Sequence, residues 1–184
     1  MQAIHPRVSY AEMEGWPEDG RRYELYDGEV FEIPSPLPIH QMVLARLYLA
    51  LQSHIVAHGG IVLFAPLDIV LTEYDVVQPD LVLFTRERQH LIDPKKVTRK
   101  PPDLAVEILT PGTESNDRGR KLRLLARQGV REYWIVDADR ARVEVHGLSG
   151  DRFTLVNVAA GTEPIHSPLL PELVLRPSDL TRGN

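Results

Sequence analysis

The chain predicts an α/β fold: one domain with a central mixed β-sheet flanked by helices on both faces. Three observations carry this. Residues 81–84 (Leu-Val-Leu-Phe) and 104–106 (Leu-Ala-Val) are almost wholly apolar, as strands covered on both faces are. Val43, Leu44, Leu47, Leu51 and Ile55 recur at helical spacing within 39–57. A second helix over 115–128, with Leu122, Leu125 and Ala126 on its apolar side, stands ready for the opposite face of the sheet.

The elements follow in order. Residues 7–15 read as a short helix, with Ser9 as cap and Glu12 at capping-box spacing. Asp27-Gly28 between 22–26 and 29–33 is a hairpin signal. Gly59-Gly60 ends the 39–57 helix. Residues 61–64 and 67–71 read as strands, and Asp75 falls in the loop before the 81–84 strand. Ser115 or Asn116 is the expected cap of the second helix, and Gly129 its stop. Residues 133–137 read as a buried strand, and 142–146 and 152–156 as a hairpin around 147–150. The proline-rich remainder reads as short strands and loops. The expected organisation is a single domain over 1–184, with a helix and hairpin at 7–33, a core at 36–146, and C-terminal strands and tail at 147–184.

Composition narrows the function classes. Without cysteine there is neither a disulfide nor a thiolate metal site. No apolar run is long enough to span a bilayer, and the first residues lack the apolar core of a leader, so a cytoplasmic protein is the expectation. A net charge of −5 is a poor overall footprint for a nucleic-acid binder, but basic residues cluster locally, at 86–100 and again at Arg118, Arg120, Lys121, Arg123 and Arg127. His54 and His58 sit one turn apart but lack the intervening acid of a metalloprotease helix. There is no Gly-x-Ser-x-Gly elbow, P-loop or dinucleotide fingerprint.

What remains is a pattern of acids. Asp80 stands at the entry of one apolar strand and Glu107 near the end of the next, and adjacent antiparallel strands would bring those ends together. Buried carboxylates are costly without a partner, and a hard divalent cation takes oxygen ligands. Asp117 and Lys121 share a helix face, a spacing that also fits an ordinary surface ion pair. By its frequency in proteins Glu24 reads as a solvent-face residue.

Gln78-Pro79-Asp80, Val106-Glu107-Ile108-Leu109 and Asp117 to Lys121 resemble the PD-(D/E)xK nuclease superfamily, with the lysine displaced from position 109 to Lys121. Tyr23 to Glu29, Ser35-Pro36 with His40, and Gly129 to Asp137 extend the likeness, over residues 10–145, to its bacterial restriction-endonuclease-like branch. The resemblance implies catalytic Asp80, Glu107 and Lys121, with Glu24 as a further acid. It implies Mg2+ or Mn2+ held by Asp80, Glu107 and the carbonyl of Ile108. The basic run on the later helix makes Arg118, Arg120 and Arg123 the expected DNA contacts, and His40, in the first turn of its helix, is well placed to meet a phosphate. The expected activity is metal-dependent DNA hydrolysis by a homo-oligomer, a dimer or higher, with the C-terminal strands as candidate interface. The alternative is an inactive nuclease-fold module for DNA binding or protein interaction, favoured by the leucine at position 109 and the acidic balance.

Overall fold

The computed structural model describes residues 7–182, so the reading of the first six residues lies outside it. Helix α1 (Tyr10–Glu14) starts at the Ser9–Glu12 capping box. The hairpin β1 (Arg22–Tyr26) and β2 (Glu29–Ile33) turns at Asp27 and Gly28, both at positive φ, as a tight primed turn requires. Helix α2 (Pro38–His58) has its proline in the first turn, where the missing N–H costs nothing. Strands β3 (Gly60–Phe64), β4 (Ile69–Thr72), β5 (Asp75–Val77), β6 (Leu81–Thr85) and β7 (Leu104–Ile108) follow. A helical segment, 114–127, leads to β8 (Glu132–Asp137), β9 (Arg142–Ser149) and β10 (Arg152–Ala160). A short helix (Pro177–Thr181) comes last.

The main sheet has six strands in the order β10-β9-β8-β7-β6-β3. Only β7 and β8 run parallel, joined by the 114–127 crossover. Alternation along these strands builds two cores. Leu81, Leu83, Leu104, Val106, Trp134, Val136 and Val145 pack with Val43, Leu47 and Leu51 of α2. Val82, Phe84, Ala105, Tyr133 and Ile135 face the other way and pack with Leu124 and Leu125. The expected helix on each face is therefore present. Each fully buried leucine contributes about 1.5–3 kcal/mol.

Several details differ from expectation. Asp75 lies in a strand, not a loop: β5 pairs with β4 and, through Val76 opposite Leu25, with β1. A second sheet of four strands, β2-β1-β5-β4, results, and Tyr26, Ile69 and Val77 close it onto the core of the 114–127 face. A three-residue strand beside a turn carries too little alternation to be read from sequence. The C-terminal remainder forms loops and one short helix rather than strands. Buried Glu132 pins it, accepting hydrogen bonds from Trp134 Nε1, Ser167 Oγ and the Leu169 amide. Among the described residues, no helix is long and apolar enough to cross a membrane.

Candidate active site

Strand register places the acids. Leu104, Val106 and Ile108 point at α2, so Glu107 points at the 114–127 segment. β6 and β7 are antiparallel with Leu81 opposite Val106, which puts Asp80 beside the end of β7. Asp80 Oδ2 accepts the Ile108 amide at 2.7 Å and lies 3.0 Å from His40 Nε2.

Glu24 faces inward from β1. Its Oε1 accepts the Gln78 amide at 2.7 Å and its Oε2 accepts the Tyr26 hydroxyl at 2.7 Å. Tyr26 in turn accepts Asn116 Nδ2 at 2.8 Å. Asn116 therefore does not cap its helix as expected. The segment starts one residue ahead of Ser115, at Glu114, and the Glu114 amide donates to the Thr110 carbonyl.

Lys121 ties the three elements together. Its Nζ is 2.8 Å from Glu24 Oε1, 2.9 Å from Glu107 Oε1 and 3.6 Å from Asp117 Oδ1. Residues Asp117–Lys121 form a π turn within the helical segment. Such turns recur at functional sites, and this one buries both of its charged ends. Neither oxygen of Asp117 receives a hydrogen bond within the chain.

Several buried carboxyls thus share one ammonium. Burial pushes the Glu107 carboxyl well above the usual range; Lys121 pulls it down, and Asp117, Asp80 and Glu24 push it further up. Burial also raises Asp117 against the pull of Lys121. For Lys121, burial opposes the charge, but Glu107 and Glu24 outweigh it and hold the ammonium protonated. The Tyr26 phenol is pushed up, chiefly by burial.

Other buried acids make the contrast clear. Asp103 is met by Thr85 and Arg88, and Glu132 by three donors. Those are structural acids. Glu24, Asp80, Glu107, Asp117 and Lys121 instead line a cavity of about 90 Å³, with His40, Gln78 and Asn116 also on its wall. That is room for several waters.

A family model described as "Putative restriction endonuclease" matches residues 9–178. The chain belongs to this family, Uma2. An uncharacterized protein of Synechocystis sp. (strain ATCC 27184 / PCC 6803 / Kazusa) is 26% identical over 156 residues, 81% of this chain and 78% of that protein. A solved structure described as a "putative nuclease belonging to DUF820", from Anabaena variabilis ATCC 29413, shares the fold with a TM-score of 0.79. The match covers 95% of this chain and 97% of that one at 18% identity. The fold of this Uma2 chain is restriction-endonuclease-like.

Within that fold, Glu24, Asp80, Glu107 and Lys121 stand on one cavity. His40 is buried at the start of α2 with its ring on Asp80, not open to solvent. Arg118 is held by Glu114 and Glu144, and Arg120 by Glu29. Arg123 is exposed. The sequence reading did not reach Tyr26, Gln78 or Asn116 as site residues. Tyr26 had a signal, since it shares a strand face with Glu24; Asn116 looked like a helix cap.

The donor set of this Uma2 site is hard oxygen, and the two Asp117 oxygens are buried without a hydrogen bond, with Lys121 3.6 Å from Oδ1. That chemistry suits a hard divalent cation. As arranged, the Lys121 ammonium sits between Glu24 and Glu107, and among the described residues no three acid or histidine side chains are grouped closely enough to hold a metal ion.

Proposed function

We propose that the protein is a metal-dependent endonuclease that hydrolyses DNA phosphodiester bonds, with a PD-(D/E)xK site whose lysine has moved to the following helix. Pro79-Asp80 supplies the first acid, Glu107 the second and Lys121 the lysine. The observation that carries this is the buried ammonium within 2.9 Å of two buried carboxylates on the wall of an open cavity. Perturbed ionisable groups in a cleft concentrate at functional sites.

Asp80, Glu107 and the Ile108 carbonyl would hold Mg2+ or Mn2+. When bound, the cation lowers the pKa of a water ligand and neutralises phosphate charge. The chain's own groups do the rest. Lys121 Nζ orients the attacking water or stabilises negative charge on a phosphate oxygen. Glu24 fixes Lys121, and Tyr26 and the Gln78 amide fix Glu24. His40 fixes Asp80 through Nε2.

Plasmid cleavage with and without Mg2+ or Mn2+ tests the proposal. Asp80→Ala is expected to remove metal binding and cleavage together. Lys121→Ala, assayed where circular dichroism shows it folded, is expected to keep metal binding and lose cleavage. Cleavage by Lys121→Ala at the parent's rate would refute the displaced lysine. A second reading, an inactive nuclease-fold module, has one observation in its favour: Lys121 is already neutralised by Glu24 and Glu107. It predicts DNA binding by the parent with no cleavage under either metal.

A further inference from the structure

We infer that a trough beside the cleft seats one strand of the nucleic-acid substrate by its phosphates, an inference that rests on the nuclease reading. The trough has a volume of about 530 Å³ and lies between the 114–127 segment and the start of β10. Arg120, Arg123, Arg127 and Arg152 line it against a single acid, Asp151, with Phe153 in its apolar wall.

Helical spacing explains the stripe. Arg120, Arg123 and Arg127 lie at i, i+3 and i+7, so they share one face of the segment, and Lys121 turns inward to the acids. Seven residues of helix rise about 10 Å. Each strand of a duplex carries one charge per ~3.4 Å of helix axis, so the stripe is long enough to meet more than one phosphate.

The charge of the trough is only partly cancelled within the chain. Among the described residues, neither Arg123 nor Arg127 has an acidic partner at ion-pair distance. Arg152 meets Asp151 only at 3.7 Å, with both side chains more than three-quarters exposed. Arg120 meets Glu29 at the surface, where such pairs contribute little. A chain of net charge −5 thus gathers four guanidinium groups in one place, and two of them, Arg123 and Arg127, have no acidic partner among the described residues. Guanidinium groups bind phosphate oxygens in bidentate fashion.

The trough also borders the cleft. The Arg120 guanidinium lies 4.4 Å from the centre of the Phe31 ring, and Phe31 is on the wall of the candidate active-site cavity. A strand whose phosphates follow the stripe is therefore directed past Arg120 and Phe31 towards the cleft. This adjacency to the cleft favours nucleic acid over an acidic protein segment.

The test is duplex binding in EDTA, read by fluorescence anisotropy between about 50 and 200 mM salt. Arg123→Ala/Arg127→Ala is expected to flatten the salt dependence by about 0.9 per lost contact. The affinity lost over that salt range then becomes about tenfold smaller than for the parent. The control is Lys95→Ala/Lys100→Ala, which removes the same charge from exposed positions away from the trough and is expected to leave the slope unchanged. An unchanged slope in the arginine variant overturns the inference. So does equal flattening in the lysine control, or loss of polyglutamate binding with duplex binding intact. Because the assay needs no metal, it separates from the nuclease reading. A flattened slope in a chain that never cleaves keeps the trough and sinks the nuclease, and a cleaving chain with an unchanged slope does the reverse.

Discussion

Replacing Lys121 by methionine keeps the stem of the side chain and removes its charge. In the parent, Nζ lies 2.8 Å from Glu24 and 2.9 Å from Glu107, and all three side chains are at most 6% exposed. At an effective dielectric of about 20, each contact carries about 6 kcal/mol of attraction. Desolvation of the ammonium returns several kcal/mol of that. Removing one partner of a buried pair costs about 3–5 kcal/mol, because it leaves charge buried without compensation, and Lys121→Met leaves Glu24, Glu107 and Asp117 in that state. The carboxyls can escape by taking up protons, so the cost must depend on pH. Glu107 and Asp117 already have folded-state pKa values raised above their ordinary ones. A group raised in this way contributes its full stability below the unfolded pKa and loses it as pH rises towards the folded one. Without the ammonium the upward shift grows, so the deficit of Lys121→Met should be near 3–5 kcal/mol at pH 8 and clearly smaller at pH 5. Urea unfolding at both pH values, with the m-value checked for constancy, measures it. The double variant Lys121→Met/Glu107→Gln should recover part of the loss at pH 8. A deficit under about 1 kcal/mol at pH 8, or one equal at both pH values, would show that the ammonium does not offset the acids, and the electrostatic account of the site would fail.

Two further predictions concern the scaffold. Burial alone would raise Glu144, but Arg118 outweighs it and holds the carboxyl below its ordinary range; a depressed pKa adds stability above the unfolded pKa that is lost as pH falls, so Glu144→Gln should flatten the fall in melting temperature below about pH 4.5, and an unchanged acid limb would count against the Arg118 clamp. Gly60 sits at φ +116°, and a Cβ there would lie 2.5 Å from the Phe84 carbonyl oxygen and 2.8 Å from Ile55 Cδ1; Gly60→Ala should therefore cost well over 1 kcal/mol in chemical denaturation, and more than Gly20→Ala, which meets nothing within 4 Å.

The sequence carried the elements that repeat. Helix α2 and the strands around Asp80 and Glu107 were legible because burial on both faces, or at 3.6-residue spacing, leaves a periodic trace over many residues. The antiparallel meeting of Asp80 with the end of β7 followed from where the two acids stand in their strands. The second sheet was not legible. Its strand β5 has three residues and joins β1 through a single register pair, Leu25 with Val76. Contacts between segments fifty residues apart leave no local pattern.

The same limit explains what was hidden at the site. An acid and a lysine four residues apart on a helix read as a surface pair, and nothing local distinguishes Asp117 and Lys121 from the many pairs that are one. The difference comes from what covers them. The four-stranded sheet brings Glu24 and Tyr26 over the 114–127 segment, and β7 brings Glu107 beneath it. Only then does Lys121 become a buried cation among acids, and only then do the oxygens of Asp117 lose contact with water. The chemistry of the cleft is therefore a property of the packing of two sheets around one π turn. A substitution that loosens the β1–β5 pairing, far from Lys121 in sequence, should disturb the site as directly as a change in the acids themselves, because Glu24 reaches Lys121 only from a strand held in place by that pairing.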